Sequence, residues 1–408
     1  MNILIIGNGF DLAHGLPTKY GDFLDFCEKA RRIYTFREDA SLNDYKCDNL
    51  DNWETNDDIK NILLEAFDKR DCKKTFNDNG TYNLKVTTLN KYLNELYSHI
   101  DENTWLEYFL KYRSSIGGNW IDFETEISTV IQVLDEAISV KKSGKELREM
   151  MKEKHSILLD IHKASKGSVQ RAFKDDTTLI DFAMFLNTEL GRLIRALEIY
   201  IVEFIGKIPI AEKNVDIKNL NLDHVLSFNY SDTFERIYSK GKNIECDYIH
   251  GKADISKNVN TSNLVLGIDE YLDDNKKDKE LELLSFKKFY QRIYKSTGNK
   301  YLEWADEIKD GYANYLKPHS LSGKIEFPGH MLYIFGHSLD ITDQDVLKMF
   351  ICNENVQTKI FYYRKNQEDK TELGKLIRNL ILIMGQEELI RRTGGVHKTI
   401  EFIPQTVK

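Results

Sequence analysis

The chain combines short apolar runs that end at turn residues with long stretches of helical spacing. Apolar runs of four or five residues predict buried strands of a parallel sheet at residues 2–6, 224–228, 246–249, 264–267, 331–335, 359–363 and 399–403. Only the first run precedes residue 220, and residues 20–214 have mostly helical spacing. The pattern therefore predicts an α/β fold, in which a Rossmann-like, mostly parallel sheet carries a large helical insertion after its first βα unit.

This order of elements predicts two domains. Residues 1–30 and 215–408 form the Rossmann-like domain, and residues 31–214 form a mainly helical insertion domain. Between residues 179 and 205 apolar side chains recur every three or four positions, which predicts a helix with one face in a core.

Composition indicates a globular chain rather than a membrane or coating protein. The net charge of -8 excludes general coating of nucleic acid or of an anionic membrane. The apolar runs are too short for a signal peptide or a membrane span, so we expect a cytoplasmic protein without membrane insertion. The five cysteines are scattered, with no Cys/His cluster, which predicts no metal site and no disulfide framework.

One segment departs from the acidic balance. Residues 141–174 contain ten Lys or Arg against four Asp or Glu. A solvated helix face is the ordinary interpretation of such a charge run. The alternative is a docking surface for nucleic acid or for an acidic protein partner.

The first strand leads directly into Gly7-Asn8-Gly9. Glycines at a strand-to-helix turn let backbone N–H groups approach a phosphate, and the helix N-terminus adds positive potential. Leu12 replaces the third glycine of the dinucleotide fingerprint, and no acidic strand end follows about twenty residues later, which disfavours a dehydrogenase. The structural alternative is a tight turn with Asp11 as the helix N-cap.

Two later strands also end in polar residues. Asn229 follows the run 224–228, where it either orients a ribose hydroxyl or a water, or simply forms a turn. His250 follows the run 246–249 as either a general base or a structural histidine. Because carboxyl ends of parallel strands meet at one edge, these residues and the glycine loop are expected to share a site.

The run 331–335 delivers a second glycine turn to the same edge. Gly336-His337-Ser338 is expected to hold a phosphate or ribose through its backbone and hydroxyl groups, and His337 is a further catalytic candidate. Asp343 or Asp345 then serves as the N-cap of the next helix.

A fifth segment lies in the helical domain. Trp120, Asp122 and Glu124 follow a Gly-Gly turn and open a helix. Acidic residues in a first helical turn are ordinarily explained by the helix dipole. The functional alternative places Glu124 or Asp122 at the mouth of the cleft.

Several of these segments together resemble a known family. The runs IGNGFDLAHGLPTKYGDFL, NWIDFE, SFNYSDTFE, YIHG, LVLGID and YIFGHSLDITDQDVL resemble the bacteriophage abortive-infection AbiH family over nearly the whole chain. They are similar, more remotely, to sirtuin-like NAD-binding proteins. In that resemblance Asn229 and His250 fall at the Asn and the catalytic His of the sirtuin-like NAD hydrolases.

The resemblance implies an antiphage effector that binds NAD as substrate or ligand and cleaves the bond between nicotinamide and ribose. It implies that His250 is the general base and that Asn229 orients the attacking group. Glu124 would stabilise the developing positive charge. The residues expected to contact the nucleotide are Gly7, Asn8, Gly9, Phe10, Asp11, His14, Gly336, His337, Ser338 and Asp340.

Two other functions stay open at this point. One is a nucleotide-binding sensor or scaffold without hydrolysis, whose helical domain binds nucleic acid or a partner. The other is a hydrolase of another nucleotide or of nucleic acid, which uses His14, Asp11 and His337. By analogy with sirtuin-like defence proteins, the resemblance also implies a homo-oligomer.

Overall fold

The computed structural model describes residues 1–116, 122–139, 160–161, 178–268, 281–319 and 329–406. The chain divides into two compact units. The sheet unit comprises Met1–Leu16, Pro209–Lys252 and Ser296–Lys408, and the helical unit comprises Pro17–Ile208 and Ala253–Lys295. Residues 17–30 and 253–295, which the sequence pattern assigned to the sheet domain, therefore group with the helical unit.

The sheet unit is built on six parallel strands. They are β1 (Asn2–Ile6), β2 (His224–Ser227), β3 (Glu245–Tyr248), β4 (His330–Phe335), β5 (Val356–Tyr362) and β6 (Ile400–Pro404). Their order across the sheet is β3-β2-β1-β4-β5-β6. This is the strand order of Rossmann folds, whose ligands bind where the order reverses, here between β1 and β4. The predicted fold class is confirmed.

Helices flank the strands and fill the second unit. In chain order they are α1 (Asn8–Ala13), α2 (Tyr20–Thr35), α3 (Leu42–Asn49), α4 (Asp57–Asp68), α5 (Lys91–Ile100), α6 (Thr104–Ile116), α7 (Phe123–Ser139), α8 (Leu179–Ile199), α9 (Thr233–Tyr238), α10 (Leu281–Leu284), α11 (Lys288–Lys295), α12 (Tyr301–His319), α13 (Gln344–Ile351), α14 (Thr371–Met384) and α15 (Gln386–Thr393). A π-helical turn, Tyr200–Phe204, continues α8. Short 3-10 turns cover Ile205–Lys207, Ile341–Asp343 and Gly395–His397.

The central strand β1 shows why the sheet is covered on both faces. Successive side chains of a strand point to opposite faces. Ile3 and Ile5 belong to one hydrophobic cluster of the sheet unit, whereas Leu4 and Ile6 belong to another. A strand buried on both faces needs a continuous apolar run rather than alternation, which is the pattern that the sequence has here.

One predicted strand is wrong. Residues 264–267 are buried, but they form no strand. The side-chain amide of Gln291 takes the place of a neighbouring strand: its oxygen accepts the Leu266 N–H at 3.1 Å, and its nitrogen donates to the Leu266 carbonyl at 3.1 Å. Burial explains the apolar run. The Gln291 side chain makes the hydrogen bonds to the Leu266 N–H and C=O groups that a neighbouring strand would otherwise make.

The helical unit contains an antiparallel hairpin that the sequence pattern missed. Its strands are Asp71–Phe76 and Tyr82–Thr87. Most of their side chains are exposed, so no buried face produces an alternating pattern. Asn79-Gly80, with φ +76° at the glycine, was the available signal, because such pairs form hairpin turns.

Two expectations concern surfaces. Within the described ranges, none of the helices has the length and apolar character that crossing a bilayer requires. The basic segment 141–174 lies outside the described residues, apart from residues 160 and 161.

Candidate functional site

Two glycine turns meet where the strand order reverses. The Gly9 N–H donates to the Gly336 carbonyl at 2.8 Å. Gly336 has φ +67°, and a Cβ there would lie 2.2 Å from the Phe10 nitrogen. A Cβ on Gly9 would lie 2.7 Å from the Gly336 Cα. Glycine is therefore required at both turns because their backbones are in contact.

Most amides of the first turn are already used within the protein. The Gly7 N–H donates to the Phe335 carbonyl at 3.3 Å, and the Phe10 N–H donates to the Gly7 carbonyl at 2.8 Å. With the Gly9 bond, the amides of Gly7, Gly9 and Phe10 are all engaged. A phosphate at this turn would have to replace these bonds.

The sheet register brings four predicted site residues to one level. Ile6 pairs with Ser227 and with Phe335, and Ser227 pairs with Tyr248. Two residues after Ile6, Ser227, Phe335 and Tyr248, the four segments carry Asn8, Asn229, His337 and His250, respectively. Parallel strands in register thus collect two amides and two imidazoles at the carboxyl edge of the sheet.

A single carboxylate lies between the two histidines. His250 Nε2 is 3.4 Å from Asp343 Oδ1, and His337 Nε2 is 3.4 Å from Asp343 Oδ2. Both imidazoles are buried, and Asp343 is 14% exposed. The Phe228 ring packs edge-on against both imidazoles, with centroids 5.6 Å from His250 and 4.3 Å from His337. The carboxylate therefore faces an N–H-bearing edge of each ring from one side.

Hydrogen bonds assign the proton of His337. The Leu339 N–H donates to His337 Nδ1 at 2.9 Å, so the proton of a neutral ring sits on Nε2, facing Asp343. Leu339 adopts φ +55°, an uncommon conformation for a non-glycine residue. Backbone strain of this kind is found at functional sites, and here it lies next to the hydrogen bond that fixes the ring.

His250 has the arrangement of an oriented base. Its Nε2 faces Asp343, whereas its Nδ1 has no hydrogen-bond partner among the described residues. A carboxylate on one ring nitrogen holds the tautomer in which the other nitrogen is an unprotonated base. Gly298 packs closely against the backbone just before His250. It adopts φ +60°, and a Cβ added to it would lie only 2.6 Å from the Ile249 Cα.

Asn229 joins two loops of the site. Its Nδ2 donates to the Gly7 carbonyl at 3.0 Å, and its own N–H donates to the Ser227 hydroxyl at 3.1 Å. The residue is buried. The side chain is thus fixed in place, and its amide oxygen, Oδ1, is the group that could orient a reactant.

Asp11 does not cap a helix. Gly7 occupies the N-cap position of α1 without a side-chain bond, and Asp11 lies inside the helix, so the capping interpretation is wrong. The Ser231 hydroxyl donates to Asp11 Oδ2 at 2.6 Å, and the Thr233 hydroxyl donates to Ser231 Oγ at 3.0 Å. Burial raises the pKa of Asp11 to about 6, partly offset by these hydroxyls.

The side chains of His14 and Phe10 make contacts inside the sheet unit. A carbonyl can only accept, so the 2.7 Å contact of His14 Nδ1 with the Phe10 carbonyl places the proton on Nδ1. His14 Nε2 then accepts from the Tyr238 hydroxyl at 2.8 Å. The Phe10 side chain is fully buried among Phe234, Tyr238 and other core residues.

The turn after β4 presents mixed environments. Ser338 is exposed, while its carbonyl accepts from Asn379 Nδ2 at 3.0 Å. Asp340 caps the Ile341–Asp343 turn by accepting the Thr342 N–H at 3.1 Å. Of this turn, His337 belongs to the histidine pair, and Ser338 offers a hydroxyl at the surface.

The helical unit contains Glu124. Its carboxylate is 2.6 Å from Lys288 Nζ, an ion pair within that unit. Asp122 accepts the Glu124 N–H at 3.0 Å and so stabilises the start of α7, as the dipole interpretation expects. The role of Glu124 toward a nucleotide stays a prediction, and Trp120 lies outside the described residues.

Asp343 is the site residue that sequence reasoning missed. It was interpreted as an N-cap, and it does occupy the N-cap position of α13, but its side chain makes no capping bond. The available signal was an excess of carboxylates: Asp340, Asp343 and Asp345 follow one strand end, and a helix start needs only one. Among the described residues, no cluster of three or more His, Cys, Asp or Glu has the geometry to hold a metal ion.

Comparison with known families identifies the family of the chain. The family model described as bacteriophage abortive infection AbiH matches residues 3–363, which include Asn229, His250, His337 and Asp343. The chain belongs to the AbiH family. The AbiH resemblance inferred from the sequence is confirmed, and the AbiH description connects the chain with abortive infection against bacteriophages. Neither the curated proteins nor the solved structures compared with the chain gave a match.

Proposed function

We propose that this AbiH chain is an antiphage effector that hydrolyses NAD+ at the bond between nicotinamide and ribose. The observation that carries the proposal is the carboxylate of Asp343 between His250 and His337, at the carboxyl edge of a Rossmann-type sheet. That edge is where such folds bind nucleotides. An imidazole oriented by a carboxylate is a general base suited to neutral pH.

The reaction uses water as its only co-reactant. The C–N bond between ribose and nicotinamide breaks, and nicotinamide leaves with the electron pair. A water oxygen bonds to the ribose carbon while His250 Nδ1 takes the water proton, which is then released to solvent. The products are nicotinamide, ADP-ribose and one proton. Asp343 holds the His250 tautomer, and the side-chain amide oxygen of Asn229 orients the water or a ribose hydroxyl.

The remaining site residues supply binding. Because three amides of the Gly7–Phe10 turn are engaged, the exposed Ser338 hydroxyl carries the phosphate contact in this proposal. The role of Glu124, which lies in the helical unit in an ion pair with Lys288, toward the charge that develops on the ribose stays a prediction. The remote resemblance of the sequence motifs to those of sirtuin-like NAD hydrolases, which is itself part of the proposal, implies the same substrate.

The engaged amides also favour a second candidate. A hydrolase of another nucleotide or of nucleic acid would not need a row of free amides for a pyrophosphate. His14 and Asp11 are both tied to internal partners, so in this case the chemistry would rest on His250, His337 and Asp343. A sensor without hydrolysis is the outcome in which none of these substrates is consumed.

The test compares histidines at opposite ends of the sheet. Purified protein is incubated with NAD+, with and without phage-infected lysate, and nicotinamide release is followed. His250→Ala should lower release at least about 100-fold, because general bases contribute that much or more. The matched control, His224→Ala, changes a partly buried histidine at the amino end of β2 and should leave release within a factor of three.

The same incubation separates the alternatives. Parallel reactions contain other nucleotides, RNA or single-stranded DNA, with the same two variants. Consumption of one of these, lost in His250→Ala but without nicotinamide release, would favour the second candidate. If neither lysate nor nucleic acid elicits any turnover, the NAD+ hydrolase proposal should be dropped.

A further inference from the structure

The carboxylate of Asp11 is buried, and no ion pair joins it to a cation among the described residues. The side chain is 2% exposed, and its Oδ1 has no hydrogen-bond partner within the described ranges. The Ser231 hydroxyl donates to its Oδ2 at 2.6 Å and accepts in turn from the Thr233 hydroxyl. Arg236 acts on it only at longer range, against the like charge of Asp232. A fold selected for stability alone would place a neutral side chain here.

The bond to Ser231 has a consequence for the site. Ser231 lies two residues after Asn229, and Asp11 lies four residues after Gly7, one turn along α1. Asn229 Nδ2 donates to the Gly7 carbonyl at 3.0 Å, and Ser231 donates to Asp11. The loop that carries Asn229 is therefore held at two points, once by Gly7 of the first glycine turn and once by Asp11 of α1.

We propose that Asp11 is a positioning residue, which holds Ser231 and thereby fixes the loop that presents Asn229 at the candidate site. It touches no reactant in this role. An oxygen of its side chain accepts the Ser231 hydroxyl at 2.6 Å, and an amide oxygen at the same place can accept that bond. The role of Asn229 in catalysis rests on the proposed function, whereas the fastening of its loop does not.

The test uses graded changes at both ends of the bond. Asp11→Ala removes the acceptor, Ser231→Ala removes the donor, and Asp11→Asn keeps an oxygen that accepts from Ser231. The matched control is Asp223→Asn, at the amino edge of the sheet, where Asp223 accepts the Asn2 N–H at 2.7 Å. Thermal unfolding first establishes that each variant is folded. If Asp11→Ala does not fold, Ser231→Ala removes the same hydrogen bond and the test proceeds with that variant.

The first readout is independent of any activity. Amide hydrogen exchange of peptides covering residues 228–233 should be faster in Asp11→Ala and Ser231→Ala than in wild type, Asp11→Asn or Asp223→Asn. Equal exchange in all five proteins would overturn the proposal. The double variant Asp11→Ala/Ser231→Ala should show no further increase, because both single changes remove the same bond.

The second readout is nicotinamide release. Asp11→Ala and Ser231→Ala should lower kcat about 10- to 100-fold with KM within about threefold, because misplacement of a reacting group mainly affects the chemical step. Asp11→Asn should restore at least a third of wild-type kcat. Loss of kcat in Asp11→Asn equal to that in Asp11→Ala would overturn the positioning role, because a hydrogen-bond acceptor alone would then be insufficient.

The two proposals fail in different ways. If wild type releases no nicotinamide, the hydrolase proposal fails, and the exchange data together with protection of cells against phage decide on Asp11. Protection lost in Asp11→Ala and kept in Asp11→Asn would support the positioning role under any substrate. Wild-type protection by folded Asp11→Ala and Ser231→Ala would overturn it.

Discussion

The two edges of the same sheet each carry a pair of histidines, yet they differ in what surrounds them. At the amino edge, His224 begins β2 and His330 begins β4. His224 Nδ1 is 3.6 Å from Glu245 Oε2, and that carboxylate is 44% exposed and also binds Lys300. At the carboxyl edge, His250 and His337 share one carboxylate that is 14% exposed.

The difference shows what distinguishes a candidate site from a structural pair. The His224 ring packs against Trp304 with centroids 4.4 Å apart and a tilt of 34° between the rings, and burial lowers the pKa of both amino-edge histidines. His224 and His330 are both partly buried, and the carboxylate beside His224 is solvated and already paired with Lys300. At the other edge, the shared carboxylate faces Nε2 of both rings, and the Leu339 N–H fixes the tautomer of His337 from its far side. The arrangement of partners, rather than the number of histidines, identifies the site.

The largest effect should come from exchanging the shared carboxylate for an amide. In Asp343→Asn, an NH2 group would face one imidazole and favour the proton on its far nitrogen, which removes the base. Activity, measured as nicotinamide release, should fall about 100-fold or more. Glu245→Gln at the amino edge should change it by less than about threefold. Equal effects of the two changes would remove the distinction between the edges.

The next effect concerns the contact of the two glycine turns. Gly336→Ala places a Cβ 2.2 Å from a backbone nitrogen, whereas Gly395→Ala, at a similar φ of +65°, meets nothing within 4 Å. Gly395→Ala should therefore cost about 1 kcal/mol, the conformational term alone. Gly336→Ala should lower the free energy of unfolding by about 3 kcal/mol or more. Urea denaturation measures both, and similar losses would contradict the backbone contact.

A smaller effect separates stability from function at Asp11. Its folded pKa of about 6 exceeds the ordinary 3.8, so its contribution to stability is complete below pH 3.8 and is lost as the pH rises through 6. Asp11→Asn should raise the free energy of unfolding by about 2 kcal/mol at pH 8 and by little at pH 4.5. A pH-independent difference between the two proteins would show that burial of the charge is not the cause.

The smallest effect is expected at the amino edge. Because burial lowers the pKa of His330, its contribution to stability is present above pH 6.5 and is lost as the pH falls below that value. His330→Gln should reduce the loss of stability between pH 7 and pH 5 by less than about 1 kcal/mol, since the ring is partly solvated. Chemical denaturation at several pH values would show this, and a steeper dependence in the variant would contradict it.

Much of the fold could be predicted because burial leaves a clear pattern. The six sheet strands coincide with predicted apolar runs to within three residues at either end. The failure at residues 264–267 has a physical cause, since an apolar run reports burial and cannot show whether Gln291 or a strand satisfies its backbone. The polar hairpin was missed for the converse reason: it has no buried face.

The candidate site was predictable only in part. Register alone places Asn229, His250 and His337 at one level, so reasoning from strand ends found them. Asp343 was not predicted as a site residue. Its side chain makes no capping bond and faces two imidazoles instead, and nothing in the sequence shows this. The partners of Asp11 and His14 are also long-range, with Ser231 and Tyr238 more than 200 positions away in the chain.

The position of β1 at the middle of the sheet has a consequence for synthesis. Its partners β2 and β4 begin at residues 224 and 330, so the first strand must wait for most of the chain before it can pair. Such long-range pairing makes folding slow, and an intervening unit of mostly local helical contacts has time to form first. Since His250 meets Asp343 only after β4 has joined the sheet, a nascent chain carries no assembled pair. The ribosome therefore completes most of an AbiH chain before the cell contains its candidate catalytic centre.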